Sequence, residues 1–458
     1  MEKYDVVIIG SGLGGLLSAV ILAKEGMKVC ILEKDKQIGG CLQTFSLHKT
    51  VFDSCVHYIG GLGDGHTLNQ IFRYAGIMDK LNLKPFDPNG FDRIAFANEN
   101  ISYPHAIGFQ NFIEQLLPFF PKEKQALTNY INTITKVGDH FPLYRLRLGT
   151  ANEKNAVAHW KLTDTLQAIT QNPLLQNVLA GNNLLYAGEK ETTPFYLHAL
   201  VLESYMHSAH KVIPGSSQIA KLLWKELQTH GGTIHRNTEV TQLVEQNGTL
   251  QYAQTQNGDR YYANQFIANI HPQALLHILQ TTAIRPAYKN RINALAQTTP
   301  AFMLNLVLRP QTIPIPRHNT YWHRFPHAWG AQYYNLDTWP ANYALYYTES
   351  ALYPGYAESL SALTYMQYRE VAQWAHTTNH AANRQQRGND YELFKDYRSH
   401  ILLETIIDHY PHLRAAVVAQ SAATPLTFRD YTGTPQGALY GILKDVNKPA
   451  ETQIATRT

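Results

Sequence analysis

Six consecutive residues near the amino terminus, Gly10-Ser11-Gly12-Leu13-Gly14-Gly15, have the types and spacing to hold a pyrophosphate. Gly10 permits a sharp turn, Gly12 lets the backbone approach the phosphates, and Gly15 allows close packing of helix on strand. The start of the following helix offers unpaired N–H groups and a partial positive charge. Glu33 stands roughly 20 residues on, where a carboxylate accepts hydrogen bonds from ribose hydroxyls. The elements that must position these residues are written around them. Val6, Val7, Ile8 and Ile9 form a strand-like run before the glycines, a helix-like segment reaches Gly26, and Val29, Cys30, Ile31 and Leu32 lead into Glu33 and Lys34. Strand, glycines, helix, strand and acid in this order predict an adenine-dinucleotide site held by Gly10, Gly12, Leu13, Gly14, Gly15, Glu33 and Lys34.

Just beyond the acid lies Gly39-Gly40-Cys41-Leu42-Gln43-Thr44. A glycine pair at this distance resembles FAD-binding chains of the glutathione-reductase type, because a backbone without side chains can pass close to the flavin-side phosphate and ribityl chain. It favours FAD over NAD and adds Gly39, Gly40, Cys41, Leu42 and Thr44 to the cofactor set. No second G-x-G-x-x-G follows a strand. In Gly61-Leu62-Gly63-Asp64-Gly65 the spacing is wrong and His66 replaces the last glycine. NAD(P)H is therefore a candidate external reductant without a dedicated site. His57 and Tyr58 are candidates for lining the flavin face or donating a proton. Cys30 falls in a buried strand, whereas Cys41 and Cys55 lie where the flavin is expected. The absence of a C-x-x-C pair argues against dithiol chemistry and a disulfide framework. Pairs such as His207/His210, His323/His327 and His376/His380 arise by chance among 21 histidines and suggest no metal.

At 458 residues the chain is long enough for two intertwined domains. Its pattern divides it into a first FAD-domain part (1–75), a mainly helical substrate-domain part (76–208), a second FAD-domain part (209–275), a second substrate-domain part (276–425) and a return to the FAD domain (426–458). Pro214-Gly215-Ser216-Ser217 can open a helix with Ser216 or Ser217 as cap. Leu222, Leu223 and Leu227 form its apolar stripe and Gly231-Gly232 ends it. Strand-like segments follow at 233–236, 239–245, 249–255 and 260–268. Asn247-Gly248 and Asn257-Gly258 separate the last three, and Asn-Gly between apolar runs is a strong hairpin signal. These predict an antiparallel meander on a parallel sheet. Strands are expected at 302–309 and 343–348, and a helix at 391–410 with Leu402, Leu403, Ile406 and Ile407 inward, stopped by Pro411. The polar stretch 377–389 reads as a loop. The fold class is thus α/β: a glutathione-reductase-type FAD-binding domain plus a mixed α+β substrate domain.

The composition, 44% hydrophobic and 16% charged, is ordinary for a globular protein. A net charge of +4 is small for this length and argues against nucleic acid as a partner. No signal peptide and no run of roughly 18 apolar residues is present, so a cytoplasmic protein is expected. A basic patch facing anionic lipid would give peripheral membrane contact. The 28 tyrosines, many of them between Tyr321 and Tyr368, fit either an aromatic-lined cavity for an apolar ligand or strand composition.

Four segments resemble the phytoene desaturase, carotenoid isomerase and retinol saturase group of FAD proteins. They are the dinucleotide unit through Thr44; Phe52-Asp53 with His57-Tyr58-Ile59-Gly60; Ile267-Ala268-Asn269-Ile270-His271-Pro272; and Ala423-Thr424-Pro425-Leu426-Thr427-Phe428-Arg429-Asp430-Tyr431-Thr432-Gly433 with Gly437-Ala438-Leu439-Tyr440-Gly441. The resemblance is weak over 80–200 and 310–390. It implies FAD as cofactor, with Val240 and Asn269 completing its contacts. It also implies a hydrophobic polyene or isoprenoid-like substrate, and saturation, desaturation or isomerisation of a carbon–carbon double bond. Arg429 and Asp430 are expected to form a structural ion pair near the flavin. Cys41 and Leu42 stand where the related amine-oxidase branch carries arginine. The group normally continues into a further strand and a glycine-rich turn over the flavin, so either the chain is cut short at Thr458 or it lacks part of its flavin seat. Two rival readings are a flavin amine oxidase and a cofactor-free protein that binds lipid or a partner.

Overall fold

In the computed structural model, residues 3–281, 283–380, 383–449 and 454 are described. Two seven-stranded sheets organise them. The first runs Thr233–His235, Val29–Leu32, Lys3–Ile9, Arg260–Ala268, Thr249–Thr255, Val240–Gln246, Leu279–Gln280. Its first four strands are parallel; the next two fold back antiparallel as the expected meander. Val6, Val7, Ile8 and Ile9 are buried, as are all four residues of Val29–Leu32, because helices cover this sheet. At the meander's first corner Asn247 and Gly248 both take positive φ (53° and 76°), the requirement of a tight two-residue hairpin.

The helix Leu13–Lys24 packs against the helix Ser217–Thr229 on one face of the sheet. Ile219, Ala220, Leu223 and Leu227 are the buried stripe of the latter, with Leu222 half-buried beside it. Ser216 precedes this helix but does not cap it with its side chain. Its hydroxyl donates to Asp53 Oδ1 (2.8 Å), with the Leu42 carbonyl 3.2 Å away.

The second sheet runs Val417–Ala423, Ala301–Leu308, Ala357–Tyr365, Asn342–Glu349, Asn319–His323, Asp92–Phe96, Ser102–His105. Neighbours are antiparallel except Asn319–His323 and Asp92–Phe96, which run parallel. Helices Phe109–Leu116, Lys124–Asp139, Leu162–Ile169, Pro173–Leu179 and Phe195–His207 contribute to the same large core. The region 76–208 is thus mainly helical, apart from the strand Leu83–Pro85 in a separate three-stranded sheet and a hairpin lent to this one. Pro104 lies in the edge strand, where a missing N–H removes no interior ladder bond. The helix Asn389–His409 buries Leu402, Ile406 and Ile407, with Leu403 half-buried. Among the described residues no helix is long and apolar enough to cross a membrane.

Candidate active site

The glycine turn leaves the first strand at Gly10 (φ 93°). A Cβ on Gly15 would stand 2.3 Å from the Gly10 carbonyl oxygen, and one on Gly14 2.9 Å from Asn269 Oδ1. Asn269 ends the neighbouring parallel strand. Its N–H donates to the Ile9 carbonyl (2.9 Å) and its Nδ2 to the Gly10 carbonyl (3.4 Å), so it braces the turn. Gly12 meets Gly39 in an isolated parallel bridge, and a Cβ on Gly40 would stand 3.2 Å from Gly12 Cα. Leu13 and Gly14 form the first turn of the helix, the positive end of its dipole.

Glu33 is buried. Its Oε2 accepts from Ser11 N–H (2.9 Å) and Ser11 Oγ (2.5 Å), and its Oε1 from Asp35 N–H (2.9 Å). Thr238 N–H, two residues before buried Val240, donates to the Glu33 carbonyl (2.8 Å). Lys34 turns the other way: its ammonium donates to the Asp430 carbonyl (3.0 Å). A Cβ on Gly12, Gly39 or Gly40 would stand 3.0–3.2 Å from its nearest neighbour, and beyond them Asp35 Oδ1 is buried without a hydrogen bond, 3.9 Å from His380 Nδ1. These features fit an adenine dinucleotide.

Gly40 also belongs to the wall of a mostly apolar cavity of about 710 Å³. Thr44, Phe45 and Cys55 line it from the first half of the chain, and Met303, Asn305 and Ser421 from the second sheet. Thr44 donates to the Ser217 hydroxyl (3.0 Å), while Leu42 is buried in the core with its carbonyl accepting from Ser216. Cys41 and Cys55, fourteen residues apart, are brought thiol to thiol. Hydrogen bonding from Cys55 lowers the Cys41 thiol to about 7, and the same contact together with burial pushes Cys55 well up. The tyrosines between 321 and 368 do not line this cavity among its described residues; Tyr321, Tyr343, Tyr346 and Tyr365 are buried strand residues.

His57 and Tyr58 are both buried but differ in chemistry. His57 stacks on Tyr346 (4.4 Å between centroids), its Nε2 has no partner, and burial with nearby Lys211 lowers it to about 4. It is neutral at physiological pH. Tyr58 donates to Asp92 Oδ2 (2.9 Å) and lies 2.8 Å from the Tyr321 hydroxyl. Burial raises Asp92 to about 7. Sequence reasoning assigned no role to Asp92, Tyr321 or Tyr346, since no local pattern marks them. It also missed the Asp53–Lys211 pair (3.4 Å), in which Asp53 Oδ1 accepts from Ser216 N–H (2.7 Å) and Lys211 reaches the His57 carbonyl (3.2 Å). Arg429 and Asp430 do pair (2.7 Å), joined by buried Arg387 from the polar stretch read as a loop. There Asn379–His380 and Asn383–Arg384 form a short ladder; 381 and 382 lie outside the described residues. No group of three or more potential metal ligands occurs among the described residues.

Residues 8–75 match the family model of an NAD(P)-binding Rossmann-like domain. Human all-trans-retinol 13,14-reductase is 26% identical over 98% of this chain and 78% of its own length. Prolycopene isomerase 2, chloroplastic, of an Oncidium hybrid cultivar is 26% identical over 58% of this chain and 48% of its own. The crystal structure of an oxidoreductase from Methanosarcina mazei shares the fold, with a TM-score of 0.58 at 16% identity, covering 98% of this chain and all (100%) of that one. Alongside the glycine turn, the buried acid and the adjoining cavity, the chain is thus similar along nearly its whole length to all-trans-retinol 13,14-reductase and over more than half of it to prolycopene isomerase.

Proposed function

We propose that the chain binds FAD and acts on a carbon–carbon double bond of a polyene or isoprenoid-like lipid. The carrying observation is that Gly40 is shared: its backbone lies against Gly12 of the dinucleotide turn and also forms the wall of the apolar cavity. A dinucleotide held by the glycines therefore ends where an apolar chain can lie. Gly10, Gly12, Leu13, Gly14 and Gly15 hold the pyrophosphate through backbone groups. Glu33 and the start of the strand at Val240 receive the adenosine, Asn269 fixes the turn, and Gly39, Gly40, Cys41 and Thr44 border the flavin end. Lys34 and Leu42 act through their neighbours. The first sheet is the cofactor half and the second the substrate half.

Bound flavin supplies two-electron hydride chemistry at carbon. The protein's part is to orient the chain in the cavity, exclude water and manage protons. Similarity to a retinol reductase runs along 98% of the chain and similarity to a prolycopene isomerase along 96%, so reduction and isomerisation are both readings of the same site. The lipid substrate also gives the chain reason to work at a membrane surface. The test is anaerobic incubation of FAD-loaded, chemically reduced protein with all-trans-retinol and with a carotenoid. Loss of one conjugated double bond, seen as a blue-shifted absorbance, is expected. Amine-dependent peroxide production with no change in any polyene would overturn the reading.

A further inference from the structure

The cavity beside Gly40 is apolar within and basic at its rim. Met303 and Asn305 in its wall are buried, whereas Lys36, Lys221 and Arg236 in the same wall are exposed, so these three mark the mouth. The fold gathers them from three elements. The strand Thr233–His235 pairs in parallel with Val29–Leu32, so Arg236 leaves the sheet beside Glu33. Asn237 N–H then donates to the Asp35 carbonyl (3.2 Å), which brings together the segments carrying Arg236 and Lys36. A Cβ on Gly39 would stand 3.0 Å from Ala220 Cβ, so the helix Ser217–Thr229 lies against the glycine pair, with Lys221 the next residue along it. Trp224, which also lines the cavity, lies under the Arg236 guanidinium, 5.3 Å from ring centre. Such stacking holds an arginine fork in place without using its N–H donors.

A surface cation ordinarily pairs with a carboxylate or stands in open water. On the same helix Glu226 takes Lys80. Among the described residues Lys36, Lys221 and Arg236 have no ion-pair partner. Asp35 is the one carboxylate in the described cavity wall; it is buried, and His380 Nδ1 stands 3.9 Å from it. Burial raises its carboxyl above the ordinary 3.8. Three cations against one carboxylate leave an excess of at least two positive charges at the mouth of an apolar pocket. Low-dielectric walls concentrate such a field at the opening. A plain hydrocarbon gains nothing from it.

We propose that the cavity takes an amphipathic lipid with an acidic end, a carboxylate or a phosphate, seated on Lys36, Lys221 and Arg236 while its unsaturated chain runs inward along the wall that holds Gly40. Arg236 offers the paired N–H donors that fit either anion, and the two lysines add point charges. An apolar pocket grips a chain without fixing its direction; a few placed polar groups supply orientation. Here the anchored end decides which end of the chain enters first, and so which double bond comes to rest beside Gly40. The cofactor's own phosphates belong to the glycine turn at Gly10–Gly15, which leaves these cations for the lipid. The inference rests on the reading of the cavity as the seat of an unsaturated lipid and names the class of that lipid.

The test is calorimetric titration of FAD-loaded protein with three ligands that share one chain: all-trans-retinol, all-trans-retinoic acid and all-trans-retinyl phosphate, each in the same neutral detergent. The carboxylate, the phosphate or both should bind about tenfold tighter than the alcohol at low salt, the tighter of the two identifying the end group, and the margin should shrink as salt is raised. In Lys36→Ala/Lys221→Ala/Arg236→Ala the margin should vanish, whereas Lys36→Arg/Lys221→Arg should keep it. Equal affinity of wild type for all three ligands overturns the proposal. A margin that survives in the triple alanine variant overturns it too; weakened FAD binding there, with the margin intact, gives the cations to the cofactor instead. Equal affinities together with adsorption of the protein to phosphatidylserine vesicles also overturn it and make the mouth a membrane surface. A clear margin with no change in the double bonds of any of the three ligands removes the double-bond reading and leaves the anion seat standing.

Discussion

Cys41 shows how a residue's chemistry is set by a neighbour distant in sequence. Alone after a glycine pair it reads as an ordinary thiol. Placed against Cys55 at the cavity, it receives a hydrogen bond and its thiol falls to about 7, while Cys55 moves the other way and Cys30 stays buried in the first sheet. The thiolate is the nucleophile, so iodoacetamide should modify Cys41 first, with a midpoint near 7, and leave Cys30 unmodified in folded protein. Mass spectrometry of partly alkylated samples checks this. Equal rates at Cys41 and Cys30 would contradict the contact. The histidines teach the reverse lesson: His57 suits a proton donor by type, yet burial leaves it neutral.

At the scale of elements, the first sheet was legible and the second was only partly so. Glycine turns, short apolar runs and Asn-Gly corners are local signals, and they placed the strands 249–255 and 260–268 with the bounds observed. The strands near 302 and 343 and the helix near 391 were also readable from periodicity. The pairing of Asp92–Phe96 with Asn319–His323 was not, because it joins residues 227 apart and nothing local specifies it. The same reason hid Asp92 from the candidate site, and hid Lys211, whose strand meets Ile59–Gly60 and Leu83–Pro85. The Asp53–Lys211 pair now ties the hairpin Thr44–Leu47/Thr50–Asp53 to that strand and to the helix at Ser216. Both side chains are buried, so removing one leaves an uncompensated charge. Asp53→Ala should cost about 3 kcal/mol in urea unfolding, and adding Lys211→Met should recover part of it. A loss below about 1 kcal/mol would show that water reaches Lys211 freely.

For the molecule as a whole, buried ionisable groups set how stability follows pH. His57, His105 and His323 are lowered to about 4 and His198 to about 3, all by burial, from an ordinary 6.5. The unfolded chain therefore binds more protons than the folded one between about 4 and 6.5, and stability rises with pH across that window. Asp92 opposes this: raised from 3.8 to about 7, it binds its proton in the folded state, and its contribution is lost as pH rises through 7. Thermal unfolding should show Tm climbing from acid to neutral pH, and more steeply in Asp92→Asn than in wild type. Identical slopes would place Asp92 in water. The central claim concerns the amino-terminal turn. The direct measurement is a titration of purified protein with FAD, followed by flavin fluorescence, beside Gly15→Ala, whose added methyl group would stand 2.3 Å from the Gly10 carbonyl oxygen. The account predicts saturable one-to-one binding by wild type, competed by ADP-ribose, and at least tenfold weaker binding by a folded Gly15→Ala variant. Equal affinities, or no binding by wild type, would contradict it.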